Sequence, residues 1–392
     1  MGPRPQLRRK FLLLAAVLSL FSTTGGSKQD PWQLWSSFSS HFIDPASGRV
    51  FDPAGDQHTT SEGQAYALFF ALAAHDRATF DRVISWTQAN LAAGDLATHL
   101  PAWRWGKAAD GKWKILDSNS ASDADVWTAY SLIEAGRLWR VPADATLGDA
   151  LLALIAKSEV ANLPGFGPML LPGSSGFQHG NVTTLNPSYL PLFLFERFAA
   201  VDPSGPWNVI ASGIPRLLDQ SARHGFAMDW VEYVPGDGFS PVADPAAQGS
   251  GPSNSAAPCG SYDAIRVYLW AGMMNSSDPQ RPAILNSVGG MAAYLAAHNA
   301  PTEKISDQGI PSEQPGPIGF SAAVIPYLRA LPGSSRAAAT QTIRLSAQRN
   351  PGSGLYGNDA AYYDQCLCLF STGFSTGKFR FGRAGELIVN VN

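Results

Sequence analysis

The stretch Thr59-Thr60-Ser61-Glu62-Gly63-Gln64-Ala65-Tyr66-Ala67-Leu68-Phe69-Phe70 decides how the chain is read. Thr59, Thr60 and Ser61 each offer a hydroxyl that can start a helix. Behind them Ala65, Leu68, Phe69 and Leu72 recur at helical spacing and form a face to be buried. One carboxylate, Glu62, stands at the threshold of this apolar helix. Alone, such a glutamate commonly does no more than oppose the helix dipole. What lies on either side of it argues for more.

Outward from this point, apolar periodicity predicts a helix carrying Trp32, Trp35, Phe38 and Phe42, then helices at 78–91, 121–138, 147–157, 188–200 and 206–222. Five more are predicted at 262–274, 281–298, 319–331, 335–347 and 360–371. Strand-like stretches are few, at 226–233 and 378–389. Two long loops, 235–260 and 301–318, are rich in Gly, Pro and Ser or carry several prolines, and loops of that length inside a compact domain tend to be functional. Twelve helices in six hairpins fit an all-α (α/α)6 barrel, although a non-barrel helical array uses the same elements.

A parity in the helix starts favours the barrel. Every second segment opens on polar, aromatic or Gly/Pro-marked residues: Ser61-Glu62, Ser122-Asp123, Asn186-Pro187-Ser188-Tyr189, Ser261-Tyr262-Asp263, Gly316-Pro317-Ile318-Gly319-Phe320 and Asn358-Asp359 before Tyr362-Tyr363. In a ring of alternating helices one parity forms the inner wall, and all its N-termini emerge at one end. Those starts would surround one cleft. Glu62, Asp123 and Asp263 then face a single site from three helices. A protonated carboxyl and an ionised one flanking an acetal are the minimum needed to hydrolyse a glycosidic bond. Asp125, two residues beyond Asp123, turns about 200° away on a helix and reads as structural. Arg266 shares a face with Asp263 and is expected to hold it ionised. A tension remains, because a helix N-terminus favours the charged carboxylate whereas a general acid needs a raised pKa.

Composition narrows the partners. The chain has 392 residues, 45% apolar and 15% charged, with a formal charge of −3, which excludes a polyelectrolyte partner such as nucleic acid. It holds 11 Trp, 11 Tyr and 20 Phe, a richness that suits stacking against ring-shaped ligands. Trp103 and Trp105 sit in a loop-like stretch, and Tyr66, Tyr189, Tyr262, Tyr362 and Tyr363 are further candidates. Cys259, Cys366 and Cys368 make no metal pattern, and no metal or cofactor is expected. At the N-terminus, Arg4, Arg8, Arg9 and Lys10 precede an apolar run and small residues, the pattern of a secretory signal over 1–27, with a single domain at 28–392. The expectation is an exported monomer, periplasmic or secreted.

The motifs taken together resemble glycoside hydrolase family 8, and within it the endoglucanases associated with bacterial cellulose synthesis. The residues that carry the resemblance are Thr59 to Gln64, Leu100-Pro101-Ala102-Trp103-Arg104-Trp105-Gly106-Lys107, and the run from Leu116 to Trp127. It continues in Asn186 to Pro191, Ser261 to Tyr268 and Gly316 to Ala323, and covers about residues 30–385. Ala124, where relatives often carry Gly, and Cys366-Leu367-Cys368 depart from the pattern. The resemblance implies an (α/α)6 barrel, inversion at the anomeric carbon and no metal. It also implies Glu62 as general acid, Asp263 as general base and Asp123 as the acid that binds and distorts the sugar. Tyr189 and Arg266 would line the same subsite, with Trp103, Trp105, Tyr262 and Tyr363 as further substrate contacts. The implied activity is endo-β-1,4-glucanase on cellulose, with cellulose synthase components as candidate partners. Alternatives are another β-1,4-glycanase (xylanase, lichenase or chitosanase), a non-catalytic glucan-binding subunit, or a polysaccharide β-eliminating enzyme.

Overall fold

Residue burial separates the helices into two classes. Every residue of the helix at Ser61–Ala73 except Glu62 is buried, whereas the helix at Arg77–Leu91 buries only a stripe, including Phe80, Val83, Ile84, Thr87 and Leu91. A helix apolar all round belongs inside, and a striped one covers it. The computed structural model describes residues 1–2, 32–53, 56–245 and 257–389. The expected signal segment, apart from its first two residues, and the middle of the 235–260 loop lie outside the described residues.

In chain order the helices are α1 (Gln33–Phe42), α2 (Ser61–Ala73), α3 (Arg77–Leu91), α4 (Ser122–Trp139), α5 (Pro142–Ser158), α6 (Leu192–Val201) and α7 (Trp207–Ser221). They continue with α8 (Ala264–Met273), α9 (Arg281–Ser287), α10 (Gly290–Ala297), α11 (Ile318–Ala330), α12 (Ser335–Ala347) and α13 (Tyr362–Ser375). The inner wall runs α2, α4, α6, α8, α11, α13, each packed on the next, α6 meeting α8 through the rings of Phe193 and Trp270. Rings of Phe70 and Phe370, 4.6 Å apart, close α2 on α13. Outer helices α3, α5, α7, α9 and α12 pair with the inner helices beside them in the chain, and α1 packs over the seam between α13 and α2. This is an (α/α)6 barrel, with the inner parity expected from the helix starts.

Aromatic side chains fill its axis. Trp127 of α4 lies 4.8 Å from Phe69, 5.4 Å from Trp270 and 5.1 Å from Phe370, ring centre to ring centre. Phe193 stacks on Phe381 at 3.8 Å. Much of the aromatic richness is therefore core and not ligand platform.

The strands are short and more numerous than expected: β1 (Thr59–Thr60), β2 (Arg104–Lys107), β3 (Trp113–Asp117), β4 (Val160–Leu163), β5 (Gly167–Leu170), β6 (Gln178–His179) and β7 (Val182–Leu185). Six follow: β8 (Trp230–Val234), β9 (Gly238–Val242), β10 (Cys259–Gly260), β11 (Ile305–Ser306), β12 (Phe379–Phe381) and β13 (Leu387–Val389). They form sheets β1-β2-β3 and β6-β7-β8-β9 and three two-stranded pairs, all antiparallel. β1 runs directly into α2, β7 into the turn before α6, and β10 into the start of α8. These strands thus fix where inner helices begin.

Four expectations need correction. The stretch holding Trp105 is not a loop but strand β2 of a hairpin, turned by Asp110-Gly111 with Gly111 at φ +80°. The helix expected at 188–200 opens as a 3-10 turn, Pro187–Tyr189, and α6 starts only after Pro191, since the residue before a proline avoids helical geometry. The helix expected at 281–298 is two, α9 and α10, parted around Gly289 and Gly290. The loops at 235–260 and 301–318 contribute β9 and β11.

Candidate active site

One buried cation organises the mouth of the barrel. Arg266, one turn into α8 and 2% exposed, donates from Nη1 to Glu62, to the Tyr66 hydroxyl at 3.0 Å and to Asp123 Oδ2 at 3.0 Å. Its Nη2 donates to Asp263 Oδ1 at 2.6 Å and to Ser188 Oγ at 2.9 Å. Arg266 pairs with Asp263, as expected, and also joins Glu62 and Asp123. Three carboxyls cannot share one positive charge while all ionised at low cost, so protons must be retained among them.

Burial decides where. Desolvation raises the Glu62 carboxyl from 4.5 to about 8, opposed by Arg266 and assisted by the charges of Asp123 and Asp263. Burial likewise raises Asp123, again against the pull of Arg266. The tension at the helix N-terminus is resolved: the dipole of α2 favours charge on Glu62, but desolvation outweighs it. Asp263 is the most open of the three, its side chain 30% exposed, and accepts on both oxygens, from Arg266 and from Asn186 Nδ2 at 3.0 Å. Acceptance on both oxygens suits an ionised carboxylate. One mouth therefore holds a carboxyl that keeps its proton near neutrality and a carboxylate ready to take one.

Capping explains why these acids are available. At α2 the cap is Thr60, whose Oγ1 accepts from Gly63 N at 3.1 Å, leaving Glu62 uncommitted. At α8 Asp263 occupies the cap position yet makes no capping bond. Asp229 does that work, accepting from Ser261 N and Ala264 N at 2.7 Å each and from Ser261 Oγ. Asp123 accepts from Ala124 N at 2.8 Å through its other oxygen. Asn186 ties the base side together: its Oδ1 accepts from Ser188 N and Oγ, while Ser188 O accepts from Trp270 Nε1. Tyr66, a candidate from the sequence as a possible sugar platform, serves instead as an acceptor for Arg266, and Asp229, Asn186 and Ser188 were not singled out as site residues by sequence reasoning. Asn186 and Ser188 stood in a quoted motif beside Tyr189 and carried the only available signal; Asp229, 34 residues before Asp263 in the chain, had none.

Behind this layer, Asp125 is fully buried and directed at Glu159, with no cation beside them among the described residues. Burial and the charge of Glu159 raise Asp125 well above its ordinary range, and burial raises Glu159 to about 7. Ser120 Oγ donates to Glu159 at 2.5 Å. Asp125 is structural, as expected, and its partner is another acid.

The aromatic candidates divide. Tyr189 lies 5.4 Å beneath the Arg266 guanidinium and belongs to the acid cluster. Tyr363 donates to the Tyr262 carbonyl at 2.6 Å and stands between two hollows. One, of about 140 Å³, contains Glu62; the other, of about 440 Å³, contains Tyr262, whose ring is 44% exposed and meets Phe320 edge-on at 5.1 Å. Trp103 reaches the site through its backbone, its carbonyl accepting from Ser61 N at 3.0 Å. Trp105 is packed elsewhere, stacked on Trp113 at 5.0 Å and edge-on to Trp86, with Arg49 above. Cys366 and Cys368 are buried unpaired thiols on the core side of α13.

A helical barrel with a protonated and an ionised carboxyl at one mouth fits acid–base cleavage of an acetal. The family model for glycosyl hydrolases family 8 matches residues 6–377, and the chain belongs to that family. It is 44% identical over 376 residues to an endoglucanase of Xanthomonas axonopodis pv. citri (strain 306), covering 96% of this chain and 93% of the relative. An endoglucanase of Escherichia coli (strain K12) is 44% identical over 384 residues, covering 97% and 96%. Among solved structures, an endo-1,4-D-glucanase from Vibrio fischeri ES114 superposes with a TM-score of 0.80 at 38% identity, covering 92% of this chain and all of that one.

Proposed function

We propose that this protein is an endo-β-1,4-glucanase that cleaves internal bonds of cellulose chains. The observation that carries the reading is the pairing across Arg266 of Glu62, raised to about 8, with the more exposed Asp263. Glu62 gives its proton to the leaving glycosidic oxygen. Asp263 takes a proton from the attacking water, and the bond to oxygen forms on the opposite face of the sugar, inverting the anomeric carbon. Asp123, 3% exposed and anchored at both oxygens, holds and distorts the sugar ring at the scissile bond. Tyr189, Tyr262 and Tyr363 line the path of the glucan, with Trp103 and Trp105 beyond. The basic and apolar start of the chain supports export, and the resemblance of its motifs to endoglucanases associated with bacterial cellulose synthesis supports a place beside that process.

Viscometry of soluble carboxymethylcellulose tests this. Wild type is expected to drop the viscosity well before reducing ends accumulate, and Glu62→Gln and Asp263→Asn to lose at least roughly 100-fold in rate, as removal of an acid or base predicts. Proton NMR of the first product from cellopentaose should show the α-anomer. Full activity in both variants would sink the assignment, and a β-anomer would sink inversion alone.

A further inference from the structure

The pole opposite the acids carries a hollow of its own. The C-terminal ends of α8, α11 and α13 and the β12–β13 hairpin enclose a cavity of about 420 Å³. It lies a helix length from Asp263, roughly 15 Å along α8 at the usual rise. Three guanidiniums border it: Arg281 at the start of α9, Arg329 in the last turn of α11 and Arg380 in β12. Among the described residues no carboxylate lines it, and none of the three arginines is in an ion pair. Asp278 influences Arg281 only from beyond that range. Arg380 gives one N–H to the Phe379 carbonyl at 2.9 Å and lies 4.3 Å over the Phe374 ring.

Helix ends do not account for this charge. Three helix C-termini present about half a negative charge each, against three whole positive charges. Two polar atoms at the cavity are also left over: Arg281 Nε and Ser375 Oγ are buried without a hydrogen-bond partner. An unmatched buried donor carries a desolvation cost that a ligand can relieve. Burial also disfavours the charge on Arg281 and Arg380, a cost that an incoming anion would offset.

We propose that this cavity binds a small oxyanion ligand, its phosphate or carboxylate group held by Arg281, Arg329 and Arg380 and its apolar portion resting on Phe374 and Ile388. The planar fork of a guanidinium matches both groups, and three forks in one hollow favour an anion of more than one charge. A neutral glucan has no use for such a site, so the ligand differs in class from the substrate proposed for the acid mouth.

Titration calorimetry of the purified protein at fixed ionic strength tests the site, with inorganic phosphate as one probe and citrate as the other. Saturable binding of at least one is expected, at one site per chain, weakened roughly tenfold or more in Arg329→Gln and in Arg380→Gln as charge-assisted bonds are lost. Arg329 is exposed, so its replacement leaves the fold intact, and circular dichroism of both variants checks this. Phosphate binding alone assigns a phosphoryl ligand and citrate binding alone a carboxylate. No saturable binding of either, or equal binding by wild type and both variants, overturns the proposal. Hydrolysis at the acid mouth is expected to be unchanged in both variants.

Discussion

Glu62 is the one residue of α2 that is not buried, and its side chain is only 22% exposed. Its proton is held by burial against the pull of Arg266, which makes a pH prediction possible. The folded protein binds this proton more tightly than the unfolded chain, whose carboxyl titrates near 4.5. The associated stability is complete below about pH 4.5 and is lost as pH rises through about 8. Glu62→Gln removes the titration without removing the shape. Its melting temperature relative to wild type should therefore climb between pH 5 and pH 9, while activity is lost throughout. Wild-type hydrolysis should fall on the alkaline side near pH 8, because a general acid without its proton cannot serve the leaving oxygen. A melting difference independent of pH would mean that Glu62 is ionised throughout. Arg266 makes the complementary case. Arg266→Ala leaves Glu62, Asp123 and Asp263 without their shared cation and should cost about 3–5 kcal/mol in urea unfolding, the usual penalty for stranding buried charge. Arg266→Ala in combination with Asp263→Asn, which removes the charge left without its cation, should recover part of that loss.

At the scale of elements, the inner wall depends on close backbone approach. Gly272 of α8 faces α11 so closely that a Cβ there would run into the backbone of Pro326 and Tyr327. Gly272→Ala should destabilise the protein by about 1–3 kcal/mol or more through overpacking, although alanine is the better helix former. A rise in stability would show that the two helices can part freely. Elements were also where the sequence was most unevenly legible. α2, α4 and α8 declare themselves because an inner helix is apolar over several turns. The β2–β3 hairpin did not, because every residue of β3 is exposed and no apolar alternation marks it. Thus Trp105, expected in a loop, packs against Trp86 and Trp113 on that hairpin. The acids themselves were legible as polar marks on apolar helices, while the partner that frees Asp263 from capping was not. Asp229 precedes β8 and meets α8 only through the fold. No local pattern encodes such a contact.

For the whole molecule, the consequence of a shared aromatic axis is mechanical unity. Trp127 of α4 is 1% exposed and touches rings from α2, α6, α8 and α13, so five of the six inner helices meet at one side chain. The C-terminal hairpin is locked to the same body from below. Tyr130 donates to the Gly385 carbonyl at 2.8 Å, and the fully buried Glu134 accepts from Leu387 N while ion-paired to Arg137 and Arg197. With the last strands bound to the second inner helix, no hairpin can leave without opening the axis. Trp127→Ala should therefore lower stability by about 3–5 kcal/mol, the usual cost of emptying a large buried aromatic. The loss should appear as one transition shifted as a unit, with fluorescence and circular dichroism coincident. Because Trp127 also contacts Tyr66, which accepts from Arg266, the same variant should weaken hydrolysis although Trp127 never meets substrate. If the two probes separate, or one half of the ring melts first, the hairpins are independent units and the axis does not couple them. If stability falls as expected but hydrolysis is unaffected, the acid mouth is held by Arg266 and its own ligands, and the aromatic core serves the fold alone.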